Sequence, residues 1–164
     1  MTLVRRVLVG TVALAVMLLV FAGGWLTGRL GIGSVVKPES LTALERQFSD
    51  RMRGVTMVGT FTVTGRQKRD PSPDRYEIAS VEKVGDNLWR FNAKVEGSGV
   101  LPIVVPMQFN GDTPVIMMTE TGLPGLGTFT VRVFFYGDRY AGTWQHGTVG
   151  GHMTGVIEKT ATAQ

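Results

Sequence analysis

The chain of 164 residues contains no cysteine. Disulfides, thiolate metal sites, a cysteine nucleophile and a lipid-modified cysteine are all excluded by that absence. Histidine is scarce: only His146 and His152 occur. Neither a His-x-x-x-His nor a His-Glu-x-x-His spacing exists, so no metal site is expected and both rings read as turn or surface residues. Beyond residue 38 there is also no surplus of charge. Of 17 Lys+Arg and 13 Asp+Glu, the four bases Arg5, Arg6, Arg29 and Lys37 precede the first acid, Glu39, and the rest balance. A domain without a net field does not steer polyanions, so no nucleic-acid partner is expected. Catalytic signatures are missing too. Gly97-Ser98-Gly99 lacks the strand-to-helix context of a nucleophile elbow, and GLPGLG (Gly122 to Gly127) lacks the Lys-Ser/Thr of a phosphate loop. The expectation is a protein without catalysis and without a cofactor.

What the sequence does contain begins with an apolar run. Val7 to Leu26 carry no charge, and twenty residues at 1.5 Å rise span roughly 30 Å, the thickness of a hydrocarbon core. Arg5 and Arg6 precede the run and Trp25 sits near its far end. The positive-inside rule then predicts a cytoplasmic N-terminus and an extracytoplasmic, periplasmic domain held by a single inner-membrane anchor. The competing reading is a cleaved signal peptide, with Val20 and Ala22 as the small residues before the cut. Residues 1–28 are assigned to the anchor, 29–54 to a linker and short helix, 55–160 to a β domain and 161–164 to a disordered tail.

The helix is read from SLTALERQFSDRMRG. Thr42-x-x-Glu45 has capping-box spacing, and Leu41, Leu44, Phe48 and Met52 fall on one face before Gly54 ends it. From Val55 the period becomes two. VTMVGTFTVT places Met57, Phe61 and Val63 on one side and threonines on the other. RQKRDPSPD reads as a polar loop, in which Arg66, Lys68 and Arg69 form a solvated basic run. RYEIASVEKV and LWRFNAKVE form a hairpin, with a bulge expected where Tyr76 and Ile78 give way to Ala79 and Val81. Glu77 and Glu82 lie on its solvated face. A second hairpin, IVVPMQF to TPVIMMTE, turns at Asn110-Gly111, with Asp112 closing the turn. Its prolines belong at edges or strand ends.

The last two hairpins fix their own register. A two-residue turn at Gly137-Asp138 sets Phe135 opposite Tyr140, Val133 opposite Gly142 and Val131 opposite Trp144. A turn at Gly147-Thr148 sets Trp144 opposite Gly151, Gly142 opposite Met153 and Tyr140 opposite Gly155. One face is then Phe129, Val131, Val133, Phe135, Tyr140, Gly142, Trp144, Met153 and Ile157. The other is polar apart from Phe134, Tyr136 and Val156.

About eight strands and no second helix predict an all-β fold, a single antiparallel barrel or sandwich built as a hairpin meander. The Gly-x-Trp stretch is similar to those of lipocalin- and avidin-like barrels. More broadly, RYEIASVEKVGDNLWRFNAKV, GDTPVI, GLGTFTVRV and YAGTWQHGTVGGHMTGVIEK resemble a family of uncharacterised, exported, membrane-anchored bacterial β-proteins. That resemblance spans residues 57 to 159, implies one exported domain behind an anchor, and implies no activity.

Two functions fit these features. In the first, Trp89, Phe91, Phe129, Phe135, Tyr140 and Trp144 fill a solid core, and the domain is a protein-interaction or envelope-assembly module. In the second, the same side chains line a pocket for a small apolar ligand, as in a carrier or sensor. Eight-stranded barrels are often narrow enough to be filled, which favours the first. Leu123 and Leu126 lie in a loop that is otherwise small; they either tuck over a barrel end or form a contact loop for a partner.

Overall fold

The structure is a computed structural model describing residues 16–21, 34–64, 69–95, 99–123 and 127–160. The chain divides into two compact units, one ending at Ser34 and the other beginning at Val35. In the first unit residues 16–21 are helical, and Val16 to Phe21 are exposed. No helix among the described residues is long and apolar enough to cross a membrane. Most of the span expected over 7–26, with Trp25, lies outside the described residues, as does the tail 161–164.

The second unit starts with a 3-10 turn, Pro38–Ser40, and a helix, α1 (Ala43–Arg51). The capping box forms as predicted. The Glu45 amide donates to Thr42 Oγ1 at 3.2 Å, and the Thr42 amide donates to the Glu45 carboxylate at 2.8 Å. Lys83 Nζ donates to the same carboxylate at 2.6 Å, which ties the helix start to the sheet. The apolar stripe is only partly used: Phe48 and Met52 are buried, whereas Leu44 remains 40% exposed. The helix docks through its C-terminal turns, so the N-terminal half of its stripe meets solvent.

Eight strands follow: β1 (Val55–Val63), β2 (Arg69–Lys83), β3 (Leu88–Val95), β4 (Val100–Asn110), β5 (Thr113–Leu123), β6 (Gly127–Tyr136), β7 (Arg139–His146) and β8 (Val149–Lys159). Each runs antiparallel to the next, and β8 pairs with β1 from Val55↔Lys159 to Phe61↔Met153. The sheet is therefore a closed up-and-down barrel and not a sandwich. The predicted register of β6, β7 and β8 holds at every pair named above. The bulge expected in the second strand falls at Ala79, between Ile78↔Ala93 and Ser80↔Asn92.

Two expectations are corrected. The polar loop over RQKRDPSPD is mostly strand: β2 begins at Arg69, and Asp74, Pro73 and Ser72 pair with Gly59, Thr60 and Phe61. Prolines are tolerated because, among the described residues, β3 pairs with β2 only from Tyr76 onward, leaving β1 as the one described neighbour of the earlier stretch. Pro102 and Pro106 sit likewise on β4 where β3 pairs but β5, joined only at Met107–Asn110, does not. The second correction concerns the Asn110 turn. Asn110 pairs with Thr113, so the turn residues are Gly111-Asp112. Gly111, Gly137 and Gly147 open their turns at φ of 65, 56 and 58 degrees. No second turn residue has positive φ, which is the II′ arrangement and not I′.

One half of the barrel interior is solidly packed by the helix. The Phe48 ring meets Trp89, Phe109 and Phe135 at centroid distances of 5.9, 6.1 and 5.4 Å, all edge-on. Val55, Val81, Met107 and Met52 complete that end. Burial of these side chains is the main source of stability there.

Candidate functional site

Away from α1 the filling stops. Inward positions on successive strands surround two adjoining cavities, of about 290 Å³ and about 170 Å³. Tyr76, Val131 and Met153 line both, so the spaces meet there. The smaller, deeper one is apolar throughout, bounded by Met57, Ile78, Phe91, Ala93, Val105, Met118, Val133 and Phe135. The larger is walled by Phe61, Asp74, Tyr76, Phe129, Val131, Trp144 and Met153. Space remains in part because Ala93, small and inward-facing, lines the deeper one where a larger residue would reach further in.

The six aromatic residues expected to line a core or a pocket divide between the two roles. Trp89 and Tyr140 are each 1% exposed, and Phe135 is 2% exposed. Phe91 and Phe135 stack at 6.3 Å and form the floor between packed half and cavity. Phe129 and Trp144 are half-buried and stand in the cavity wall, where Phe61 meets Trp144 edge-on at 6.2 Å. Leu123, at the end of β5, tucks inward against the deeper cavity. Leu126 lies outside the described residues.

The remaining candidates stay apart from the cavity. Glu82 accepts from Arg90 at 2.5 Å and Glu77 faces Lys94 at 3.7 Å, both in outward pairs across β2 and β3. Asp112 is exposed in its turn and accepts from Thr113 Oγ1 at 3.2 Å. The His146 ring lies 4.6 Å from Phe129 with Nδ1 3.0 Å from the Thr128 carbonyl, and His152 is exposed opposite Thr143. Among the described residues no cluster of three potential metal ligands occurs. Arg66, Lys68 and the side chain of Arg69 lie outside them.

Asp74 is the residue the sequence reading missed. It is 8% exposed, inside the barrel, next to Gly59 and facing the larger cavity. The Tyr76 hydroxyl and the Arg75 amide are the neighbouring donors that favour its charged form, but Oδ2 has no partner among the described residues. The Tyr140 hydroxyl nearby is also buried without a partner. Burial pushes the Asp74 carboxyl above its ordinary 3.8, with those two donors pulling the other way. Burial and then the Asp74 charge raise Tyr140 to about 12. The signal was available in parity: Asp74, Tyr76 and Ile78 alternate inward, but only if DPSPD is accepted as strand.

The raised Asp74 value sets a pH dependence. Between 3.8 and its native value the folded chain binds more protons than the unfolded one, so Asp74's contribution to stability is fully present below 3.8 and is lost as pH rises. Glu82, held below 4.5 by Arg90, acts with the opposite sign and loses its contribution as pH falls. The stability difference between wild type and Asp74→Asn isolates the first effect. Wild type should weaken relative to the variant as pH climbs from 4 to 7 in denaturant melts. A difference independent of pH would mean Asp74 titrates as if in water.

No protein family, no curated protein and no solved structure matches this chain.

Proposed function

We propose that the domain is a non-catalytic binding protein that takes one small, mostly apolar molecule into the barrel. The observation that carries this reading is the pair of adjoining interior cavities, about 290 Å³ and 170 Å³, walled almost entirely by apolar and aromatic side chains. Pockets of that size and lining are what small-molecule sites are made of. The helix packs one half of the barrel and thereby defines a floor, so the interior is a cup and not a channel. The uncharged Val7–Leu26 run, with Arg5 and Arg6 before it, supports tethering of this cup to the outer side of an inner membrane. A carrier or sensor in that place would meet small amphiphiles as they leave or reach the bilayer.

A second reading, docking of a protein partner, rests on the outer wall. Tyr136 and Phe134 on β6 and Val156 on β8, with β7 between them, are 68%, 45% and 38% exposed. One experiment separates the two. The full chain in lipid nanodiscs is titrated with cyclohexylmethanol by calorimetry, against empty nanodiscs. Saturable one-to-one binding is expected, reduced at least tenfold by Val131→Trp, which fills the junction of the cavities, and unchanged by Phe134→Ala. Absence of saturable binding, or indifference to Val131→Trp, would discard the cup and leave the outer wall.

A further inference from the structure

The larger cavity is not uniformly apolar: among the described residues that line it, Asp74 alone carries a charge. Asp74 is more than nine-tenths buried, and among the described residues Oδ2 has no hydrogen-bond partner. Among the described side chains no Lys, Arg or His acts on it; the groups that do are neutral, the Tyr76 and Tyr140 hydroxyls and the Arg75 amide. An isolated buried carboxylate costs several kcal/mol unless a cation or donor completes it, on the order of the penalty for any unpaired ion. Four rings, Phe61, Tyr76, Phe129 and Trp144, share the cavity with it. Aromatic faces carry negative potential and attract cations while repelling anions. A carboxylate set among aromatic rings is the chemistry that recognises an ammonium group.

From this juxtaposition we infer that the ligand is an amphiphilic amine, its protonated nitrogen beside Asp74 and the aromatic rings, its apolar body in the deeper cavity. This inference rests on the binding role proposed above and adds the class of ligand to it. The geometry divides the labour between the two spaces. The larger holds the head, and the apolar space beyond Tyr76, Val131 and Met153 accepts a hydrocarbon body of modest size. An ammonium donates to Oδ2, satisfying the orphan acceptor, and loses its hydration in return for a charge-assisted bond and ring contacts. An alcohol of the same shape supplies one neutral donor. A carboxylate of the same shape meets a like charge.

Three probes with one body decide it: cyclohexylmethylammonium, cyclohexylmethanol and cyclohexanecarboxylate, each titrated into the full chain in nanodiscs of zwitterionic lipid. The ammonium is expected to bind at least tenfold more tightly than the alcohol, and the carboxylate not measurably. In Asp74→Asn the preference for the ammonium over the alcohol should be lost. If all three bind wild type equally, the amine inference is overturned while the cup stands. If none binds, both are overturned. The wild-type comparison stands without the variant, so a folding defect in Asp74→Asn does not blur the outcome.

Discussion

Replacing Phe48 by alanine should cost the barrel about 3–5 kcal/mol, the usual loss for a large aromatic taken from a packed core. Phe48 is 2% exposed and makes edge contacts with four rings, Trp89, Phe91, Phe109 and Phe135, contributed by three strands and drawn from β3, β4 and β6. Those rings cannot close the space left behind, because each is held by its own strand register. Leu44→Ala, one turn earlier on the same helical stripe but 40% exposed, should cost well under 1 kcal/mol. Denaturant midpoints of the two variants measure the contrast. The result also bears on binding, since Phe91 and Phe135 form the cavity floor and Phe48 supports both from below. A mild effect at Phe48 would mean that α1 rests on the barrel without being part of its core.

Much of this arrangement could be read from residues. Where turn chemistry and alternation agree, as in YAGTWQHGTVGGHMTGVIEK, the pairs from Tyr136↔Arg139 to Trp144↔Gly151 follow from the turn positions alone. A two-residue turn leaves a strand with one face buried no second register. The capping box at Thr42 and the bulge at Ala79 are equally local and equally legible. Asp74 was not, because two prolines and two acids in RDPSPD look like loop composition. What makes that stretch a strand is pairing with β1, the strand just before it and, among the described residues, its one neighbour there, and composition does not show that pairing. Whether the interior was hollow was illegible for a related reason. Alternation tells which side chains point inward but not how far their sum falls short of the volume enclosed. Here the shortfall is set by a helix that fills one half and by small residues such as Ala93 in the other.

Closure of the barrel depends on a feature of the β1–β8 seam, and it yields the second large effect. Gly59 and Gly155 are direct partners across that seam, and the Tyr140 ring lies over both. A Cβ at position 155 would overlap the Val58 carbonyl oxygen and would stand 2.6 Å from Tyr140 Cε1 and 2.7 Å from Gly59 Cα. Two of those three neighbours are backbone, so no rotamer change relieves the crowding. Gly155→Val should therefore destabilise by about 3 kcal/mol, at the upper end of the range for overfilling a packed site. Tyr140→Phe is the matched test of the ring's role. It keeps the ring over the glycines and removes a buried hydroxyl that has no partner, so it should leave stability unchanged or slightly raised. Adding Tyr140→Phe to Gly155→Val should rescue little, because the backbone overlap persists. Equilibrium unfolding of the two single variants and the double variant measures these terms. If Gly155→Val is tolerated, β8 can move away from β1 at little cost, and the closed seam would be a weak joint through which the interior opens.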